Sequence, residues 1–395
     1  REVVAGEDLA GLLAAAEPGA AFCLGPGAHR GPLRAEGVTV WGPREAVIRS
    51  TGEGTTVRLE GEEAALLGVT VDGSGGRFDL LDAAVHVSGT GGRVEAVGVR
   101  NAVFGILVER ARGARVRGNE VIGDAEQTLG LRGDSIRLWE ATDCVVEDNR
   151  VRDGRDMVLW YASRNRVARN HVEGGRYGAH LMYSHENVIE ANRFVGNVTG
   201  LFVMYSREVE LRDNVFADSR GAAGVGLGLK ESGNLRVLRN LFVHNSVGLY
   251  VDTSPLWPDD RNLFEGNLFQ LNDVAVSFLG RAAGNRFVGN GFRDSRVQVE
   301  VDGRGDAREA EWHGNAFDDY AGYDLDGDGI GDVPYELRSF ASDLVAATPA
   351  LAFYRGTPAL ALVEAIGRIV PLVEPRLVLT DPAPRMERVR WEAPR

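Results

Sequence analysis

The feature that most constrains the fold is a triplet in which Asn is followed two residues later by Val or Phe. It recurs at spacings of 21 to 30 residues, and Val97 with Val99 continues it backwards by 22. The triplets start at Asn119, Asn149, Asn170, Asn192, Asn214, Asn240, Asn267, Asn290 and Asn315. A unit near 22 residues, padded by loops at roughly 123–132, 219–225 and 253–261, is too short for two ordinary helices.

Each unit contains short β-branched runs separated by Gly, Asn, Asp and Arg, which is typical of a coil of three short strands stacked about 4.8 Å from the next coil. We therefore predict an all-β fold, a right-handed parallel β-helix of coils of about 22 residues, over 1–335. The asparagines would bond amide to amide from coil to coil. Residues 8–16, with Asp8 as cap, predict a short helix closing the first coil.

Composition limits the partners and the compartment. The net charge of −13 argues against nucleic acid and anionic polysaccharide. There is no stretch of 18 apolar residues, and the chain begins at Arg1, so we expect a secretory leader to have been removed. The two cysteines, Cys23 and Cys144, are far apart and are expected to be buried free thiols.

The second strand of each coil carries the functional information. Six of these strands align as 135–139, 156–160, 178–182, 200–204, 226–230 and 248–252. Strand side chains alternate between faces, which predicts an inward column running from Leu138 to Val251. The predicted outward positions are Arg137, Val158, His180, Phe202, Gly228 and Tyr250 in one ladder, and Trp139, Trp160, Met182, Met204, Lys230 and Asp252 in the next.

An outward face this rich in aromatic and thioether side chains is typical of a partner-binding surface. The residues that we expect to contact a partner are Arg137, Trp139, Val158, Trp160, Phe202 and Tyr250. The alternative is that a loop or the C-terminal tail covers this face.

His180, Met182 and Met204 are candidate ligands within this surface. Imidazole and thioether donors suit Cu(I) better than Zn²⁺ or Mg²⁺. Because neutral imidazole is the ligand, copper affinity should fall as the pH drops through about 6.5. The alternative is that the methionines are adaptable protein contacts.

A second candidate metal site is the acidic segment 324–332. Asp324, Asp326, Asp328 and Asp332 occupy positions 1, 3, 5 and 9, with Gly329 after the third Asp, a spacing typical of a Ca²⁺ loop. The bidentate Glu expected at position 12 is replaced by Tyr335. A plain Asp- and Gly-rich turn is the alternative.

After residue 335 the repeat stops, and 336–395 is predicted to be a C-terminal extension. Within it, residues 357–370 predict an amphipathic helix with Pro358 in its first turn. This helix either packs on the coils or docks to a membrane partner.

The runs GDSIRLW (133–139), RDMVLWYAS (155–163), RYGAHLMYSHEN (176–187) and TGLFVMYS (199–206) resemble the NosD family, strongly over roughly 130–335. The acidic loop is also similar to the end of that family's β-helix. The resemblance implies a non-enzymatic periplasmic protein of denitrification, with no catalytic residues. Such a protein works with the NosF ATPase, the NosY membrane subunit and the copper chaperone NosL in maturing the copper sites of nitrous oxide reductase (NosZ).

The rival class is a carbohydrate-active β-helix enzyme such as a lyase, glycosidase or epimerase. These enzymes need paired carboxylates or a basic residue in a cleft. Asp134, Asp156 and Glu140 lie near the aromatic patch, and tryptophans bind sugars, so this class stays open. A surface adhesin is disfavoured.

Overall fold

The computed structural model of the protein describes residues 1–302, 305–339, 344, 348–354, 357–359, 362–363, 366 and 375–392. The chain divides into two compact units, 1–210 and 211–395. In each unit, successive turns contribute one short strand to each of three parallel sheets. The predicted parallel β-helix is therefore confirmed.

Unit 1 contains most of the turns, and its sheets are numbered here by the order in which the chain enters them. The first sheet contains Glu2–Val3, Ala21–Leu24, Thr39–Trp41, Ala65–Leu67, Arg93–Glu95, Arg115–Arg117, Val145–Glu147, Arg166–Ala168 and Val188–Glu190. The second contains Gly27–Arg30, Ala46–Arg49, Thr70–Asp72, Gly98–Arg100, Glu120–Ile122, Arg150–Arg152, His171–Glu173 and Arg193–Val195. The third contains Leu33–Glu36, Val57–Glu60, Ala83–Thr90, Phe104–Arg112, Ile136–Trp139, Asp156–Trp160, Tyr177–Met182 and Thr199–Met204.

Unit 2 repeats the arrangement, and the strand Glu210–Arg212 contains the boundary. Its first sheet has Arg236–Leu238, Asn262–Glu265, Asn285–Val288 and Glu311–His313. Its second has Val215–Ala217, Leu241–Val243, Leu268–Gln270, Gly291–Arg293 and Ala316–Phe317. Its third has Val225–Lys230, Val247–Asp252, Val274–Leu279 and Val297–Asp302. Short 3-10 turns lie at Leu129–Leu131 in unit 1 and at Ala307–Glu309 and Pro349–Tyr354 in unit 2.

The core consists of stacked apolar side chains, because equivalent inward positions lie directly above one another. In unit 2 the rings of Phe216, Phe242, Phe269, Phe292 and Phe317 stack with centroids 4.6–5.2 Å apart. Unit 1 uses mostly Val, Ile and Leu at its inward positions, and these side chains are almost fully buried. Apolar burial along the whole length of each unit is what stabilises a solenoid.

Buried asparagines connect successive turns, as the triplet predicted. In unit 1 the side-chain amide of Asn119 donates to Oδ1 of Asn149 at 2.9 Å, and Asn149 and Asn170 repeat the bond to the next turn at 2.8 and 2.9 Å. In unit 2 the same ladder runs from Asn214 to Asn315. Because each of these ladder amides donates to the next turn, the polar column carries little desolvation cost.

The N-terminal helix is present at Leu9–Ala14, close to the predicted 8–16. The Asp8 side chain caps it by accepting from the backbone N–H of Gly11 at 3.0 Å. Leu9 and Leu13 are its buried residues, and the helix packs against the first strand of the third sheet.

The C-terminal part of the chain returns to the last turn of unit 2. Tyr335–Ser339 pairs antiparallel with Arg376–Asp381, and the Asp381 carboxylate bonds the terminal Asn315 of the ladder. The tail then follows the outside of the unit, where the Trp391 indole donates to the backbone carbonyl of Arg239 at 2.7 Å.

Three further sequence-based expectations concern the helix at 357–370, membrane-spanning segments and the two cysteines. The predicted helix at 357–370 lies for the most part outside the described residues. No helix in the described part of the chain is long and apolar enough to cross a membrane. Both cysteines are free, but only Cys144 is buried, whereas Cys23 is partly exposed because strand alternation turns it outward between the buried Phe22 and Leu24. Burial raises the pKa of the Cys144 thiol.

Candidate functional site

The third sheet of unit 1 places the predicted ladders in register. Trp139, Trp160, Met182 and Met204 are consecutive partners across four strands. On the same face, Arg137, Val158, His180 and Phe202 form the neighbouring row. The alignment made from the Asn triplet is therefore correct for these two rows. A register shift between Asp156 and Val158 precedes them and does not reverse their faces.

The expectation that the whole face is exposed is wrong for Arg137, Val158 and His180, whereas Phe202 in the same row is partly exposed. Arg137 is 8% exposed, Val158 0% and His180 6%. Part of the cover comes from Tyr177, whose ring lies 4.9 Å from the His180 ring and 6.1 Å from that of Phe202. Arg137 and Val158 thus support the surface from beneath and are not available for direct partner contact.

The row containing the tryptophans is partly exposed. Trp139 and Trp160 meet edge to face with centroids 5.6 Å apart. The Arg137 guanidinium lies 4.5 Å from the Trp139 ring and 5.4 Å from the Trp160 ring. This cation–π contact fixes both indoles while leaving their outer parts accessible.

A tyrosine ladder beside the tryptophans was missed at the sequence level. Tyr161 and Tyr183 stack at 5.3 Å, Tyr183 and Tyr205 stack at 4.9 Å, and Tyr161 also meets Trp139 at 5.6 Å. Tyr161 is 47% and Tyr183 42% exposed. The available signal was their 22-residue spacing, each directly after Trp160, Met182 or Met204.

The three tyrosines occupy left-handed backbone positions with φ of 51°, 51° and 50°. Such a conformation costs a bulky residue about 1–2 kcal/mol. Left-handed corners are common in this solenoid, and Glu140 has the same conformation one turn earlier. The corner therefore requires the left-handed backbone but not an aromatic side chain. We infer that the role of the tyrosines lies in the contacts of their rings. We call Trp139, Trp160, Met182, Met204 and the three tyrosines the aromatic–thioether surface.

His180 lies just beneath this surface with one ring nitrogen engaged. The Trp160 indole Nε1 donates to His180 Nδ1 at 3.3 Å, and the two rings meet edge to face at 5.5 Å. His180 Nε2 is buried and has no hydrogen-bond partner among the described residues. An orphaned imidazole nitrogen in a row bordered by two thioethers fits a soft metal ion such as Cu(I).

The protonation of His180 differs from the sequence-based expectation. Burial lowers its pKa to about 4, with Asp156 opposing the shift and Arg176 adding to it. The imidazole is therefore neutral well below pH 6.5. The predicted loss of copper binding near pH 6.5 is accordingly corrected to a loss closer to pH 4.

The carboxylates considered for an enzyme are held in ion pairs. Asp134 is fully buried, and Arg155 donates to it at 2.7 Å. Burial raises the pKa of Asp134 although Arg155 opposes the shift. Asp156 is also buried and is paired with Arg176 through a two-pronged contact.

Glu140, the third carboxylate considered, is on the surface and lies 3.0 Å from Arg110. The three carboxylates therefore serve ion pairs rather than lining an open cleft together.

In unit 2 the corresponding rows are more polar. Gly228 pairs with Tyr250, and Lys230 pairs with Asp252, whose carboxylate lies 3.9 Å from the ammonium. Tyr250 is partly buried, and burial raises the pKa of its hydroxyl. Tyr250 is thus the one predicted partner-binding residue that this unit contains.

The acidic loop brings three of its four predicted ligands together. Carboxylate oxygens of Asp324, Asp326 and Asp328 lie within 4.8 Å of one another. Asp332 instead accepts from the backbone N–H of Leu325 at 2.6 Å. The geometry suits a small cluster of oxygen ligands to a hard cation, with Asp332 bracing the loop.

Comparison with known proteins adds the following. Residues 112–322 match the family described as NosD, periplasmic copper-binding protein. A probable ABC transporter binding protein NosD from Stutzerimonas stutzeri is 26% identical over 381 residues, covering 83% of this chain and 78% of that protein. The protein of the same description from Pseudomonas aeruginosa is 30% identical over 337 residues, covering 78% and 75%.

Among solved structures, a tailspike protein of the E. coli bacteriophage HK620 aligns with a TM-score of 0.51 at 12% identity, covering 76% of this chain and 59% of that one. The A-module of the mannuronan C-5 epimerase AlgE6 of Azotobacter vinelandii gives 0.48 at 16% identity, covering 78% and 93%. The tailspike likeness supports the β-helical fold and says nothing about activity.

Proposed function

This chain belongs to the NosD family of periplasmic copper-binding proteins, and on that footing we propose that it is the periplasmic accessory protein of an ABC transporter complex that matures copper sites. In this role it is a docking scaffold and not an enzyme. The client is apo nitrous oxide reductase, the copper donor is NosL, and the transporter consists of NosF and NosY. The observation that carries the proposal is the partly exposed aromatic–thioether surface on a rigid sheet.

The physical case for docking rests on rigidity. Aromatic side chains held in place lose little conformational entropy on binding, which is why they dominate protein interfaces. Here Trp139 and Trp160 are held by Arg137, and Tyr161 and Tyr183 are held by stacking. We propose that these four rings are the partner anchors, with Phe202 as a flanking contact in unit 1 and Tyr250 as a partner contact of unit 2.

We propose that His180, Met182 and Met204 bind Cu(I) transiently as cargo. Thioethers and imidazole favour Cu(I), and a ligand row on an accessible sheet face permits transfer to another protein. His180 binds and orients from below, while Met182 and Met204 are partly exposed and can meet an incoming chaperone.

Two further parts of the chain have proposed structural or docking roles. Asp324, Asp326 and Asp328 would bind Ca²⁺ and staple the loop that follows the last turn. The extension 336–395 would dock to the membrane subunit, and its strand Arg376–Asp381 would hold it to unit 2 by pairing with Tyr335–Ser339 and bonding Asn315.

Site-specific photocrosslinking tests the docking role. A photoreactive residue at Tyr161 or Tyr183 should form crosslinks to apo nitrous oxide reductase or to NosL in a periplasmic extract. The same group at Glu53, an exposed position elsewhere in unit 1, is the control. Equal crosslinking from both places would contradict the proposal.

A carbohydrate-active enzyme is the second candidate, and no contact in the site favours it. The three carboxylates that such an enzyme would use are all held in ion pairs. The pairs are Asp134 with Arg155, Asp156 with Arg176, and Glu140 with Arg110. Turnover of an alginate or pectin by the pure protein would nevertheless reverse this preference.

A further inference from the structure

We infer that Trp160 is a positioning residue that sets the tautomer of His180 and competes with Cu(I) for its imidazole. The inference rests on the proposed function, because it concerns how the proposed ligand row holds and releases copper. In this inference the hydrogen bond from the Trp160 indole N–H lowers the affinity of His180 for Cu(I).

The first step is the direction of the hydrogen bond. An indole nitrogen can only donate, so the contact from Trp160 Nε1 requires a lone pair on His180 Nδ1. A neutral imidazole carries one proton, which must then be on Nε2. The structure therefore assigns the Nε2–H tautomer to His180.

The second step is the consequence for a metal ion, which binds only to a nitrogen lone pair. In this tautomer Nδ1 has the lone pair, but the Trp160 N–H occupies it. Nε2 has no hydrogen-bond partner among the described residues, but in this tautomer it carries the proton.

Copper can therefore bind in two ways. It can replace Trp160 at Nδ1, or it can bind Nε2 after the proton has moved from Nε2 to Nδ1. Neither route adds or removes a proton or an electron. Both routes break the hydrogen bond between Trp160 and His180.

The third step connects this exchange to the surface. Trp160 contacts Trp139 edge to face and lies 5.4 Å from the Arg137 guanidinium. An indole that loses its acceptor inside this packed group must either tolerate an unpaired N–H or turn toward solvent. Copper loading at His180 thus changes Trp160, which is itself a proposed anchor for the partner. The partner that engages Trp160 can in turn favour loading or release.

Two measurements test the inference separately from the proposed function. In the metal-free protein at neutral pH, long-range ¹⁵N–¹H NMR should show His180 as the Nε2–H tautomer, with its signal identified by its loss in His180→Gln. In Trp160→Phe, which keeps a ring but lacks the N–H, the Nδ1–H form should become populated. A wild-type spectrum dominated by Nδ1–H would overturn the inference whether or not copper binds.

The second measurement is a Cu(I) titration against a competing chelator. Trp160→Phe should bind Cu(I) tighter by about fivefold, the value of one ordinary hydrogen bond. Trp41→Phe is the matched control and should bind as the wild type does, because Trp41 is 46% exposed on the first sheet and the Trp160–His180 bond stays in place. Unchanged or weaker binding by Trp160→Phe would overturn the competition. Absence of Cu(I) binding in every variant, with the NMR result intact, would overturn the copper role proposed above and leave the tautomer assignment standing.

Discussion

The carboxylate of Asp381 ends the asparagine ladder of unit 2 by accepting from both the side-chain amide and the backbone N–H of Asn315, at 2.8 and 2.9 Å. It also accepts from the backbone N–H of Gly314 at 3.2 Å and is fully buried. The two residues are 66 positions apart. A segment that is distant in sequence therefore satisfies the last rung.

Replacing Asp381 should destabilise the protein, because the N–H groups of Gly314 and Asn315 would lose their acceptor. Asp381→Ala leaves up to three buried N–H groups without their acceptor, and the free energy of unfolding should fall by about 2–4 kcal/mol. Asp381→Asn keeps one acceptor oxygen and should lose less. Urea unfolding followed by circular dichroism measures both, and equal stability of the Ala variant and the wild type would contradict the role of this cap.

The fold was predictable because its information is local and repeated. A single triplet set the register of the turns, and alternation then placed the Trp and Met residues on one face. The cover over His180 was not predictable, since it depends on the rotamer of Tyr177 and on packing between neighbouring rungs. The same is true of Asp381, whose pairing with Asn315 has no signature in a repeat that has already ended. The tyrosine ladder could have been found, since its spacing is as regular as that of the asparagines.

Removing the two indoles should separate docking from folding. The double variant that carries Trp139→Ala and Trp160→Ala should have the circular dichroism spectrum of the wild type, because both rings are partly exposed. It should abolish copper loading of nitrous oxide reductase in cells. Trp41→Ala is the control, since Trp41 is 46% exposed on the first sheet of unit 1. Unfolding of the double variant would show that the indoles are core.

The stability of the metal-free protein should depend on pH through His180. Its pKa is lowered from 6.5 to about 4 in the folded state, chiefly by burial. Between these values the unfolded chain binds a proton that the folded chain does not, so stability falls as the pH drops from about 6.5 to 4. The loss amounts to about 3 kcal/mol at most.

His180→Gln is the matched variant, because it cannot titrate in this range. The difference in unfolding free energy between wild type and variant, measured at pH 7.5 and about 4.5, isolates the contribution of His180. A difference that does not change with pH would contradict the burial of a neutral imidazole.

Calcium should stabilise the acidic loop if Asp324, Asp326 and Asp328 bind it together. Chelation should lower the melting temperature by several degrees, since ion binding to the folded state alone adds stability. Asp326→Asn with Asp328→Asn should remove the chelator effect, whereas Asp259→Asn, at an exposed loop position of the same unit, should not. Calorimetry with and without chelator decides between these outcomes.

The path of the C-terminal tail should depend on the absence of a side chain at Gly291. A Cβ at this position would lie 2.8 Å from Cβ of Val389 and 3.0 Å from Leu268, closer than such atoms approach. Gly291→Ala should displace the tail and speed tryptic cleavage at Arg388 and Arg390. Gly130→Ala, in unit 1, is the control, because a Cβ there would meet nothing within 4 Å. Unchanged cleavage would mean that the tail does not rest on this turn.

The asparagine ladder has a direction, because each amide donates toward the C-terminus and accepts from the side of the N-terminus. Every interior rung therefore presents the same pair of groups to its neighbours, and a duplicated or deleted turn would find a fitting partner on either side. Only the final position requires a different residue, one that accepts without needing to donate, and Asp381 is that residue. A chain built in this way can change its length by whole turns during evolution, or in the laboratory, as long as the segment that brings the terminal carboxylate back is retained.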